Sequence, residues 1–241
     1  MSEPWETLII VGLFLFIAGF FGLFIWVARY VNKRDNQSPQ QREELLQLAA
    51  SRGWIHTAWV PGGGDRYCGG GPLPMKGTNI PVVDQIVGEF RGRAICCFEY
   101  HSRGMDADGP STVQHSTVFA VTSTTSVPRL VIKRPRALDK VNARTDALFG
   151  GGKVIELGDP EFDEAFRLIA NDEESARNVL TGPLAQFLTS DPRAKEEPLR
   201  FQGNDLITWH RGRLRAEQIE QKLNYLCDVL DRQPAQAHHP A

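Results

Sequence analysis

Ile80-Pro81-Val82-Val83-Asp84-Gln85-Ile86-Val87-Gly88-Glu89-Phe90, then Arg91-Gly92-Arg93, then Ala94-Ile95-Cys96-Cys97-Phe98-Glu99-Tyr100, is the stretch that decides the fold. Two runs rich in β-branched and aromatic residues flank a short glycine-centred turn, the pattern of an antiparallel hairpin. A polar loop over 101–110 separates it from two further β-branched runs, 112–122 and 129–132. Residues 54–60 on the near side read as another strand. Beyond a basic stretch and a glycine turn at 149–152, residues 154–157 and 162–170 offer two more. Residues 199–202 and 206–209 flank Gly203-Asn204, which reads as a hairpin turn.

Helices are fewer and well signalled. Ser38 suits an N-cap, Pro39 the first helical position and Gln41 the return bond of a capping box; Gly53 ends that helix. Asn171 and Glu174 cap a helix through Leu180, Gly182-Pro183 break it, and 184–189 form a second short one. The closing helix, 214–232, sets Ile219, Leu223, Leu226, Cys227 and Leu230 on one stripe. No βαβα alternation is present, which excludes a doubly wound sheet. The expected class is α+β: an N-terminal transmembrane helix, then a mainly antiparallel β-sheet domain packed by helices.

The membrane helix comes from residues 8–28, an unbroken run of 21 apolar or glycine residues. At 1.5 Å per residue it covers about 31 Å, one hydrocarbon core. A cleaved signal peptide fits poorly, because the start carries Glu3 and Glu6 without Lys or Arg and no small-x-small site follows. Arg29, Lys33 and Arg34 all lie after the run, so the rule of positive charge inside puts the C-terminal domain in the cytoplasm at the cell's inner membrane. The domain plan is a short external N-terminus (1–7), the span (8–28), a linker (29–37), one soluble domain (38–233, with a sub-boundary near 150) and a disordered tail (234–241). Gly12, Ala18, Gly19 and Gly22 would allow close helix approach and a homodimer through the span, although glycine is common in spans anyway.

With 27 Lys+Arg against 29 Asp+Glu the charge balance gives no reason to expect nucleic acid. Cys68, Cys96, Cys97 and Cys227 show no metal spacing and suit a reducing compartment. Residues 61–77 hold seven glycines and three prolines. They lack the Gly-Lys-Ser/Thr ending of a phosphate loop and read as a flexible connector. Acidic clusters at Asp159, Glu161, Asp163 and Glu164 and at Asp172, Glu173 and Glu174 read as turn and helix-start residues. No metal and no cofactor is expected.

Several stretches resemble a family of uncharacterised single-span membrane proteins of actinobacteria, a domain without assigned function. They are Ala50-Ser51-Arg52-Gly53-Trp54; Gly88-Glu89-Phe90-Arg91-Gly92-Arg93 leading into Cys97-Phe98-Glu99-Tyr100; Val127-Pro128-Arg129-Leu130; and Phe162-Asp163-Glu164-Ala165-Phe166-Arg167, with Asp172 and Ala176 ahead of Leu180. The resemblance implies one anchored soluble domain and assigns no chemistry.

Three functional readings follow. The first is a non-enzymatic module that binds a protein or small ligand beside the membrane. The second is a hydrolase using Cys96 or Cys97 with His101 or His115 as a nucleophilic pair. The third is a subunit of a larger cell-envelope assembly. His210, beside a glycine turn, reads as a surface residue, and His238-His239 belong to the tail. Residues 129–144 hold six basic residues and one acid, whereas 153–191 hold nine acids and three bases. That split makes Lys133, Arg134, Arg136, Lys140 and Arg144 candidates for contact with the anionic inner leaflet.

Overall fold

Among the described residues a seven-stranded sheet, antiparallel at every pairing, frames the protein. The computed structural model describes residues 39–103, 113–135, 152–180 and 182–234. The chain divides into a unit of residues 1–42, of which 39–42 are described, and a compact unit of residues 43–241. The span read at 8–28, with Gly12, Ala18, Gly19 and Gly22, lies outside the described residues, as does the tail from 235. Among the described residues no helix is long and apolar enough to cross a membrane.

Helix α1 (Pro39–Arg52) ends at Gly53, whose φ of +66° suits a left-handed C-terminal position. Trp54 follows, buried and hydrogen-bonded through Nε1 to the Glu89 carbonyl at 3.0 Å. Its ring lies over Gly88, where a Cβ would meet Trp54 Cδ1 at 2.2 Å. Strands β1 (Ile55–Val60), β2 (Val82–Phe90) and β3 (Arg93–Arg103) then pair in order. Arg91 (φ +52°) and Gly92 (φ +72°) make the two-residue turn between β2 and β3, with the positive φ pair that a twisted hairpin favours.

Strand β4 (Val113–Lys133) is one strand of 21 residues, where the sequence suggests two. One of its edges pairs first with β3 and later with β6 (Arg167–Ala170), which in turn pairs with β5 (Lys153–Ile155). Its other edge pairs with β7 (Leu199–Arg211) along most of its length. The expected hairpin at 203–204 is therefore corrected: both flanks belong to β7, which bends at Gly203 (φ +59°) opposite the irregular 122–127 segment of β4. The bend is sharp. Thr208 Oγ1 donates to the Pro198 carbonyl at 2.8 Å, although a straight strand would hold those residues about 33 Å apart.

Residues 162–170 are likewise corrected from strand to helix α2 (Pro160–Ala165) followed by β6. Asp159 accepts from the amides of Glu161 and Phe162, Pro160 occupies the first turn, and Phe162 and Phe166 meet at 5.1 Å between ring centres. That i, i+4 aromatic contact is helical spacing. Helices α3 (Glu173–Val179), α4 (Pro183–Ser190) and α5 (Ala216–Leu230) join α2 on one sheet face around Ile95, Cys97, Phe119, Val121 and Leu206.

The glycine-rich stretch covers the opposite face and is no loose connector. Tyr67, Leu73 and Ile80 close over Phe98, Val118, Val131, Ile207 and Trp209 in a second core. Asp65 pins this strap by accepting from the amides of Asn79 and Ile80 at 2.9 and 2.7 Å. Arg200, 2% exposed, donates to the carbonyls of Tyr67 and Gly70, Arg129 to that of Gly69 and Gln202 to that of Cys68.

Candidate functional site

Side chains alternate faces along a strand, so Glu99 and His101 share one face of β3. The β3–β4 register sets His101 opposite His115 and Glu99 opposite Thr117, and the β4–β7 register sets Thr117 opposite His210. One end of the sheet thus collects three histidines on the helical face. After β7 the chain turns at Gly212, whose amide donates to the His115 carbonyl at 2.9 Å while Thr117 Oγ1 donates to the Gly212 carbonyl at 2.9 Å. This turn brings Arg213 and Leu214 over Glu99.

Glu99 is fully buried. Its Oε1 accepts from the Leu214 amide at 2.8 Å. Its Oε2 stands 3.0 Å from His101 Nε2, 3.8 Å from His115 Nδ1 and 3.7 Å from Arg213 Nη1. The two imidazoles meet edge to face at 4.4 Å, and Arg213 Nη2 lies 3.4 Å from His115 Nε2. Donor atoms of Glu99, His101 and His115 all fall within 4.8 Å of one another.

A second carboxylate repeats the theme. Glu197 lies 3.1 Å from His210 Nδ1, 3.1 Å from Lys222 Nζ and 3.3 Å from Thr208 Oγ1. Burial pushes the Glu197 carboxyl up, but the bond to His210 and the charge of Lys222 outweigh it and hold the group below its usual range. His210 stacks on Phe119 at 5.8 Å and has its side chain 19% exposed, so it is a partner of Glu197 where the sequence suggests a surface residue. A cleft of about 430 Å³ opens beside His210, Trp209 and Glu197, reaching Ser102, Ser116 and Gly71.

The thiols are elsewhere. Cys97 shares the face of His101 but precedes it by four residues, about 13 Å along the strand. It is fully buried, and desolvation raises its thiol well above the ordinary value. Cys96 points to the strap side, pushed up to about 11, mainly by burial. All four cysteines are free, and the strand register gives Cys96 and Cys97 no meeting with His101 or His115. The acidic clusters serve the backbone: Asp163 accepts from the amides of Leu157 and Gly158. Of the basic candidates, Lys133 is buried at 6% exposure and Arg134 is exposed; Arg136, Lys140 and Arg144 lie outside the described residues.

Glu99 and Glu197 are the site residues that reasoning from sequence passes over. Glu99 did leave a signal: a charge following Ile95-Cys96-Cys97-Phe98 in a strand buried on both faces needs partners.

This architecture defines a class of α+β domain, a bent antiparallel sheet with helices on one face and a strap on the other. Among solved structures it is similar to the mycobacterial trehalose monomycolate transport factor A, TtfA, with a TM-score of 0.54 at 15% identity over 83% of this chain and 99% of that one. No protein-family model matches the chain, and no curated protein matches it.

Proposed function

We propose that the protein is a non-catalytic accessory subunit of a cell-envelope transport assembly. Its domain is held at the cytoplasmic face of the inner membrane by residues 8–28 and binds a protein partner there. The likeness of fold to a mycobacterial transport factor, over 99% of its solved chain, carries this reading. Two features support it. The Cys97 thiol sits desolvated in the core, a poor place for a nucleophile. Edge strand β1 leaves Ile55 65% and Trp59 56% exposed, an apolar edge suited to contact with another chain. Leaflet contact in this reading falls to Arg134, Arg136, Lys140 and Arg144, since Lys133 is buried.

Depleting the protein from the cells that make it, with envelope lipids quantified on both sides of the inner membrane, is the direct test. A lipid precursor should accumulate on the inner side, and Trp59→Asp in the full chain should reproduce the effect while the protein stays folded. Unchanged envelope lipids after depletion would overturn the reading.

A further inference from the structure

We propose that Glu99, His101 and His115 form a binding site for a divalent transition-metal ion of the zinc type, a property separate from the transport reading above. The donor set is one carboxylate and two imidazoles, hard-to-borderline ligands that zinc and its neighbours in the first transition row accept. Around a tetrahedral ion with bonds near 2.0–2.1 Å, adjacent donor atoms stand about 3.3–3.4 Å apart. Here Glu99 Oε2 is 3.0 Å from His101 Nε2 and 3.8 Å from His115 Nδ1, and all three donors lie within 4.8 Å. Changes of at most about 1.5 Å in these separations, made by turning the imidazoles and the carboxylate about their side-chain torsions, complete the triangle.

The platform is stiff where a ligand set needs stiffness. His101 and His115 are direct cross-strand partners, and Glu99 is two residues from His101 on the same face. The Leu214 amide holds Glu99 Oε1 at 2.8 Å and so orients the carboxylate with Oε2 toward both histidines; metal carboxylates are oriented by such outer bonds. The His101 side chain is 31% exposed, which gives the ion a way in and leaves a fourth position for water or a partner's group.

Arg213 is a competing group. Its contacts, 3.7 Å to Glu99 Oε2 and 3.4 Å to His115 Nε2, are longer than the 2.7–2.9 Å of a close charge-assisted bond. It serves as a loosely held counter-charge for the buried carboxylate. An ion bound at His115 Nδ1 leaves the proton on Nε2, facing the guanidinium, so Arg213 must swing away on the Gly212 turn. Binding therefore works against Arg213.

The test uses the full-length chain in detergent, stripped with chelator and titrated with Co²⁺, then displaced with Zn²⁺. Expected are visible ligand-field bands of a low-coordinate Co²⁺ that Zn²⁺ abolishes. His101→Ala and Glu99→Gln should each weaken binding by about 100-fold or more, beyond the 10–100-fold typical of outer groups. Arg213→Gln should tighten it, an effect that a purely structural histidine pair would not produce. His238→Ala/His239→Ala should leave it unchanged. The proposal falls if no bands appear, if folded His101→Ala still binds like the parent, or if the tail variant removes binding. Should Glu99→Gln fail to fold, the half-buried His101 variant decides alone.

Discussion

Arg200 shows what one residue does for the strap. Its guanidinium, 2% exposed, is brought down to about 10, chiefly by desolvation and then by the nearby charge of Arg129. It remains because two strap carbonyls need its donors, and an unsatisfied buried carbonyl costs about 1–3 kcal/mol. Arg200→Ala should therefore loosen residues 61–77 before the rest of the fold, and limited proteolysis reads this as new cleavage there. An unchanged cleavage pattern would refute the assignment. Gly71 is equally constrained: φ is +82°, and a Cβ would meet the Trp209 ring at 2.7 Å. Gly71→Ala should cost about 1–3 kcal/mol in a denaturant titration. These demands were unreadable in the sequence, where three successive glycines look like slack. Nothing in the order of residues says that a tryptophan 138 positions later occupies the space above Gly71. Trp54 over Gly88 is the opposite case, since both positions belong to stretches that stand out in the sequence, although their contact does not.

At the scale of elements, reading succeeded where a pattern is local. The end of the first helix at Gly53, the 91–92 turn and the stripe of α5 follow from glycine placement and period, whereas the Ser38 cap lies outside the described residues. The polar interruptions at 122–127 and 203–204 misled, because a bend inside a long strand uses the same residues as a turn between two short ones. The 162–170 segment misled for another reason: its apolar residues suit a strand as well as a helix, and the Asp159 cap decides between them. The site was half legible. His101 and His115 are visible as loop-flanking residues, but their pairing depends on register, and the approach of Arg213 depends on the far end of the chain. For α5 a contrast tests the packing. Leu223→Ala, at a fully buried position, should cost about 2–5 kcal/mol. Glu220→Ala, which removes a surface pair with Arg52, should cost at most about 1 kcal/mol.

Across the whole molecule, ion pairs tie the last helix to distant parts of the chain. Arg193 bridges Asp191 and Asp228, and Arg91 reaches Asp228 and Asp231. The Arg193 bond holds the Asp191 carboxyl below its usual range. At Asp228 burial pushes upward, but bonds from Arg91 and Arg193 prevail and lower it, as His210 and Lys222 do at Glu197. Groups with depressed folded values contribute stability in full above their unfolded values, about 3.9 for Asp and 4.3 for Glu, and lose it as pH falls below them. The urea midpoint should therefore hold between pH 7 and 5 and drop steeply below about pH 4.5. Asp228→Asn should flatten that acid limb; an unaltered limb would show the pairs to be inert.

The double pairing of β4 also has a consequence in time. One edge of this strand is closed along most of its length by β3, made before it, and at Leu130–Lys133 by β6, but the other waits for β7. From Lys133 to Arg211 the ribosome must add roughly 80 residues, about 4–16 s at a typical elongation rate. Throughout that interval the nascent chain carries a long, β-branched edge open to pairing with a neighbouring copy. The interval between making β4 and making β7 is thus when the protein is most prone to aggregate, and slowing translation over 134–198 should lower soluble yield more than the same pause after residue 211.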